Sequence, residues 1–192
     1  MKSSILSRRR LLIGAAALST GGIIAGPAAA GQGGGFIQAA LREPGAARHL
    51  TLHSVNEGDR IDVDYWVDGR YQRDALRQVN QLMRDRRSHE VIEMSPRLLD
   101  LLFLVHRQLD TRNPIEIVCG YRSPTTNAKL AKKSKSVAKN SYHTRGMAVD
   151  VRVRDRSARQ IYKVAKALHV GGVGYYGKSG FVHLDVGPPR TW

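Results

Sequence analysis

The sequence predicts an α+β fold: a small, mainly antiparallel sheet with helices packed against it. Short stretches of period-two alternation recur between residues 50 and 186, and such alternation marks half-buried strands. Between them lie stretches with apolar residues at helical spacing, near 74–85, 96–109 and 157–169. Short strands mixed with helices, without an internal repeat or a second domain, fit one layered domain of this class.

Residues 1–30 have the makeup of an export signal. Ser7-Arg8-Arg9-Arg10-Leu11-Leu12 is a twin-arginine pattern, an apolar run follows from Leu11 through Ile24, and Ala28-Ala29-Ala30 offers a cleavage site. The expectation is delivery to the periplasm or cell envelope by the twin-arginine route, with no stable membrane span after processing. Residues 31–48 are Gly/Ala-rich and form a flexible lead-in; residues 49–192 form the folded domain. The formal charge is +15, of which Lys2, Arg8, Arg9 and Arg10 in the signal supply four. The remaining basic surface points to an anionic partner. Nucleic acid would account for the charge, but the export signal argues against it. An anionic envelope polymer fits both.

The folded part opens with Leu50 and Leu52, then Ile61, Val63 and Tyr65, with Gly58 between them: a hairpin. Leu76, Val79, Leu82 and Met83 mark one helix. Ser95-Pro96 caps a second, whose Leu98, Leu99, Leu101, Leu102, Val105 and Leu109 make it the main core helix. Ile115 to Cys119 is a strand, and Cys119, the single cysteine, is its buried end. No intramolecular disulfide can form. A short helix follows from Thr126, then a basic loop with Lys132, Lys133, Lys135 and Lys139. Ser157 caps a helix carrying Ile161, Val164, Ala165 and Leu168. Gly171-Gly172-Val173-Gly174 lacks the Gly-Lys-Ser/Thr of a phosphate loop and leads into a hairpin that turns at Gly177 to Gly180. Trp192 is expected to be a packing anchor. His49, His53, His89 and His106 are expected to be ordinary structural or exposed histidines.

Two segments carry chemistry. In the first, His143 precedes a turn at Gly146, after which Met147, Val149, Val151 and Val153 alternate with Ala148 and Asp150. In the second, Val182, Leu184 and Val186 alternate with Phe181, His183 and Asp185. If these strands pair, His143, Asp150 and His183 converge. Two histidines and a carboxylate are a ligand set used by catalytic zinc, with the fourth position open for water. Zinc in such a site lowers the pKa of bound water toward about 7 and polarises a carbonyl, which is chemistry for amide hydrolysis.

The pattern Ser141-x-His143-x-x-Gly146-x-Ala148-x-Asp150, followed by a strand bearing His183, resembles the zinc peptidases that include D-Ala-D-Ala carboxypeptidases and the Hedgehog signalling domain. Gly120-Tyr121-Arg122-Ser123-Pro124, Asn127, Gly171 through Tyr176 and Phe181 through Trp192 are similar to one branch, the MepK-like murein endopeptidases. The resemblance spans about residue 49 to Trp192. It implies that fold, a Zn2+ cofactor on His143, Asp150 and His183, and peptidoglycan cross-links as substrate. It also implies that Arg122 holds the substrate carbonyl or oxyanion. Ser141 and Tyr175 are candidate substrate contacts, and the protein is expected to act as a monomer.

One departure stands out. Relatives place an acid three residues before the last histidine ligand, where this chain has Gly180. Asp185 is therefore the candidate general base, because it shares a face with His183; its other reading is a carboxylate that orients His183 or pairs with Arg190. Two rival functions remain: a carboxypeptidase trimming terminal D-alanine, and a catalytically silent zinc-containing wall-binding module. Cleavage of cross-linked muropeptides separates them.

Overall fold

The computed structural model describes residues 47–134 and 137–192. The export signal, nearly all of the lead-in, and Lys135 of the basic loop lie outside the described residues. The described chain forms a mixed, mostly antiparallel sheet of eight strands with helices: β1 (Arg48–Ser54), β2 (Arg60–Val67), β3 (Arg70–Tyr71), α1 (Arg73–Leu82), α2 (Pro96–Leu109), β4 (Ile115–Cys119), α3 (Pro124–Lys133), a 3-10 turn (Tyr142–Arg145), β5 (Ala148–Val153), α4 (Ala158–Ala167), β6 (Gly172–Tyr176), β7 (Phe181–Asp185) and β8 (Arg190–Thr191). Strand order across the sheet is β3-β2-β1-β4-β5-β7-β6-β8. Two pairings are parallel, β1 with β4 and β6 with β8. The sheet is therefore larger than the sequence pattern implies, because β3 and β8 are two residues each and too short to show a period.

Alternation gives the sheet two unlike faces. Leu50, Leu52, Ile115, Ile117, Val149, Val151, Val182 and Leu184 are buried in one apolar core. That core is completed by α1, α2 and α4, whose apolar sides supply Val79, Leu98, Leu102 and Ile161. The alternate residues on the central strands are mostly polar. Glu116 on β4 pairs with Arg152 on β5 at 2.6 Å. Asp150 and His183 belong to this polar set and sit directly opposite one another across the β5–β7 pair.

Local signals set the helix ends. Ser95 precedes Pro96 at the start of α2, where a missing N–H costs nothing. Ser157 and Gln160 form a reciprocal capping box on α4. Ser123 caps α3 by accepting from the Thr126 N–H.

One buried charge lies within the apolar face of α2. Asp100 is 6% exposed. It accepts from Arg48 Nη1 at 2.7 Å, Tyr65 Oη at 3.0 Å and Tyr71 Oη at 2.6 Å. Arg48 also lies over the Trp66 ring, 3.9 Å from its centroid. This cluster ties β1, β2 and β3 to α2. Replacing Asp100 with Ala removes at once the acceptor shared by Arg48, Tyr65 and Tyr71, so Asp100→Ala should lose about 3–5 kcal/mol in urea unfolding. A loss below about 1 kcal/mol would show that the cluster does not hold this edge of the sheet.

Candidate metal centre and cleft

The site is built from the β5–β7 register outward. Asp150 pairs with His183, and Ala148 with Asp185. Immediately before β5 the 3-10 turn carries His143. Ser141 caps this turn, its Oγ accepting from the His143 N–H at 3.3 Å. Gly146 closes the turn at φ +64°, a conformation that glycine adopts without penalty. His143 is fully buried, and Asp150 and His183 are nearly so.

The three side chains meet at one point. His143 Nε2 is 3.2 Å from His183 Nδ1 and 3.3 Å from Asp150 Oδ1, and His183 Nδ1 is 2.9 Å from the same oxygen. The opposite ring nitrogens are both committed. His143 Nδ1 donates to the Gly120 carbonyl at 2.7 Å, and His183 Nε2 donates to Asp185 Oδ2 at 3.0 Å. These outer bonds turn the lone pairs of both rings inward, toward a carboxylate oxygen. Three such donors facing one another repel unless a cation lies between them. Ligands about 2.0–2.1 Å from a tetrahedral zinc lie about 3.3 Å apart, so the donor set and its spacing fit that ion.

The electrostatics show the same demand for positive charge at this point, met by a proton where no cation is bound. Burial alone would lower the pKa of His143, but the charge of Asp150 outweighs it and lifts the imidazole to about 10. Burial would raise Asp150, yet His143 and His183 hold its carboxyl below the usual range. Cys119 lies beside them: its Sγ and donor atoms of His143 and Asp150 are all within 4.8 Å of one another. It is half-buried rather than buried. Burial pushes its thiol up, and the neighbouring His143 charge more than reverses that. The triangle that includes His183 is tighter than the group that includes Cys119.

Asp185 sits behind His183 and is fully buried. Its Oδ1 accepts from Gly187 N at 2.9 Å, Arg190 Nη1 at 3.0 Å and Gly172 N at 3.2 Å. Its Oδ2 accepts from Arg190 Nη2 at 2.7 Å as well as from His183. Burial would raise this carboxyl; bonds from His183, Arg190 and the Gly187 backbone outweigh burial and keep it anionic.

A cleft of about 510 Å³ opens over the three donors. Arg122, Ser141, Tyr142, Tyr176, Phe181 and Trp192 line it, together with Arg190; Asp185 does not. Arg122 Nη1 donates to Asn127 Oδ1 at 3.2 Å, and Nη2 lies 3.9 Å from Asp150 Oδ2. Its Nε is buried with no partner among the described residues. Asn127 in turn donates to the carbonyls of Ala138 and Lys139, at 3.0 Å each, and so fixes the loop that borders the cleft.

Of the residues singled out from sequence, His143, Asp150, His183, Arg122 and Ser141 come together at the cleft. Tyr175 does not. Counting across β6–β7, Gly174 faces His183 and Tyr176 faces Phe181, so Tyr175 points to the opposite side of the sheet. There its ring lies 5.6 Å from that of Tyr162 on α4. The cleft residue is its neighbour Tyr176. Trp192, expected to be a packing anchor, is 47% exposed and lines the cleft.

Asp85 was not singled out from sequence. It is buried at the end of the α1 segment and accepts from the Ser123 N–H at 2.8 Å and the Arg87 N–H at 2.8 Å. With the Tyr121 N–H bonded to the Met83 carbonyl at 2.7 Å, it clamps the Gly120–Ser123 turn. That turn presents both the carbonyl behind His143 and the Arg122 side chain.

Comparison with known proteins agrees with the residue pattern. The peptidase M15 family described as peptidoglycan L,D-endopeptidase MepK matches residues 42–192. The peptidoglycan L,D-endopeptidase MepK of Escherichia coli strain K12 is 40% identical over 146 residues, covering 76% of this chain and 80% of that protein. The probable peptidoglycan L,D-endopeptidase MepK of Haemophilus influenzae is also 40% identical over 146 residues, covering 76% and 78%.

The Asp85 clamp gives a test with a defined pH dependence. Burial would raise its carboxyl, but bonds from Thr126, Arg87 and Ser123 outweigh that and depress its pKa below the ordinary 3.8. Its contribution is therefore complete above that value and is lost as pH falls through the lower folded value. Asp85→Asn should cost about 2 kcal/mol at pH 7 in urea unfolding, and the gap to wild type should close as the pH is lowered towards about 2. A gap that does not change with pH would mean that the carboxylate charge plays no part.

Proposed function

Since the chain belongs to the MepK family of peptidoglycan L,D-endopeptidases, we propose that it is a zinc-dependent murein endopeptidase that cuts peptide cross-links of the cell wall. The observation that carries this reading is the inward convergence of His143 Nε2, His183 Nδ1 and Asp150 Oδ1 at the floor of an open cleft. These three residues would hold the zinc. A zinc ion there supplies a Lewis acid and brings bound water to a pKa near 7. An L,D bond narrows the substrate. A D-alanine to diaminopimelate link joins two D centres, whereas a link between two diaminopimelates joins an L-centre acyl group to a D-centre amine. The second is the cross-link we assign.

The protein's own groups have distinct parts. Arg122 points its guanidinium into the cleft beside Asp150, where it meets the carbonyl oxygen as that oxygen gains charge. Its unpartnered Nε and its Asn127 tether leave it held but not saturated. Asp185 and Arg190 keep His183 in the tautomer whose Nδ1 faces inward. Asp185 uses its lone pairs on five N–H donors and does not itself line the cleft, so we assign it to orienting His183 and not to proton transfer with substrate. Ser141 shapes the turn under His143 and lines the cleft.

We further assign the mature domain to the cell envelope, with residues 1–30 as its twin-arginine export signal. No helix among the described residues is long and apolar enough to cross a membrane.

The deciding experiment incubates the protein with purified cross-linked muropeptides, with and without a chelator, and identifies products by mass. Dimers should fall to monomers, the activity should vanish with chelator, and zinc should restore it. Loss of terminal alanine alone would replace this reading with a carboxypeptidase. No product from protein shown to carry zinc would replace it with a wall-binding module. Arg122→Ala should lower kcat by about 10²–10³-fold with zinc content unchanged. Unchanged turnover would remove Arg122 from the oxyanion role.

A further inference from the structure

The run Gly171-Gly172-Val173-Gly174 has a purpose that its sequence does not announce. A Cβ on Gly174 would lie 2.6 Å from the Trp192 ring, and one on Gly172 would lie 2.3 Å from Asp185 Oδ2 and 2.4 Å from Arg190 Nη1. These glycines form a bed on which the β8 segment lies flat. Trp192 is fastened to that bed from three directions. Its N–H donates to the Val173 carbonyl at 3.2 Å, its carbonyl accepts from the Tyr175 N–H at 2.8 Å, and its indole Nε1 donates to Tyr176 Oη at 3.1 Å.

An indole held this firmly is usually buried, yet Trp192 remains 47% exposed, and it borders the cleft. Its ring centroid is 5.3 Å from that of His183. Tyr176, to which it is bonded, stacks on Phe181 with centroids 4.6 Å apart and planes 17° apart. The three rings make a continuous apolar wall on the His183 side of the cleft, fixed before any ligand arrives. Rigid aromatic surface at the edge of a polar site binds aliphatic surface with little loss of side-chain freedom.

We propose that Trp192 is a substrate-contacting, specificity-determining residue, whose indole takes the aliphatic side chain of the stem-peptide residue next to the scissile bond. The inference rests on reading the cleft as a murein peptidase site and adds to it which surface selects the peptide. The wall lies too close to His183 to serve the glycan, because the sugar is separated from the cross-link by several residues of stem peptide. A peptide side chain is the part of the substrate that reaches this far.

The chain has two tryptophans, Trp66 and Trp192, and Trp66 lies under Arg48 in the buried cluster at the other edge of the sheet. Trp66→Phe therefore leaves Trp192 as the sole indole reporter. The zinc-loaded Trp66→Phe protein is titrated with sugar-free, uncross-linked tetrapeptide containing diaminopimelate, and in parallel with the wall disaccharide alone. The peptide should change Trp192 emission saturably and the disaccharide should not. In hydrolysis of cross-linked dimers, Trp192→Ala should raise KM about tenfold, with the loss falling mainly on KM, while Trp192→Phe recovers most of it. Bound zinc should be the same in both variants. An emission signal indifferent to peptide in a protein that cleaves dimers would overturn the inference, and so would a response to disaccharide alone or an unchanged KM in Trp192→Ala. The titration needs no turnover, so saturable peptide binding by a protein that leaves cross-linked dimers intact would count against the enzymatic reading and for the role of Trp192.

Discussion

The register between β5 and β7 is the constraint on which the rest depends. Asp150 stands opposite His183 because Val149 and Val151 on one strand and Val182 and Leu184 on the other are buried together on the core face. A slip of one residue would turn those apolar side chains outward and the polar ones in. The hydrophobic core thus fixes the position of the polar groups above it. His143 is added from outside the sheet by a single capped turn, and the three donor atoms meet within 3.3 Å.

Behind each imidazole stands a group that sets its direction. His143 leans on a carbonyl of the Gly120–Ser123 turn, and that turn is held by Asp85. His183 leans on Asp185, itself held by Arg190 and two backbone N–H groups. Every outer contact is an acceptor for an imidazole N–H, so both rings keep their lone pairs inward. The polar groups that would be costly if buried alone are satisfied in chains that end at the protein surface.

Much of this was legible in the sequence. Period-two alternation located β5 and β7, and the Ser95-Pro96 pair and the Ser157 cap located two helices, although the Ser95 side chain makes no capping bond. The two chemistry-bearing segments marked His143, Asp150 and His183 as side chains that meet once β5 and β7 pair. What escaped has physical reasons. Tyr175 and Tyr176 are adjacent and alike, and only counting the pairing outward from His183 tells which faces the cleft. Asp100 is one polar residue in an apolar helix, and its partners come from strands far away in sequence. β8 is too short to show a period, so Trp192 looked like packing. Gly172 and Gly174 looked like the approach to a hairpin because the Arg190 and Trp192 side chains they make room for lie eighteen residues further on. Asp185 had two readings from sequence, and its Arg190 and backbone partners are visible only once β6 and β8 are in place.

The parallel β6–β8 pairing gives the fold a thermodynamic property of its own. Arg190 belongs to β8 and grips Asp185, and Asp185 aims His183. Docking of β8 and occupation of the three-donor floor by a cation would therefore be linked equilibria. Whatever factor the docked strand added to cation affinity, a bound cation would return to the strand as resistance to peeling away. A part of the molecule that touches none of the three donors is in this way written into their affinity.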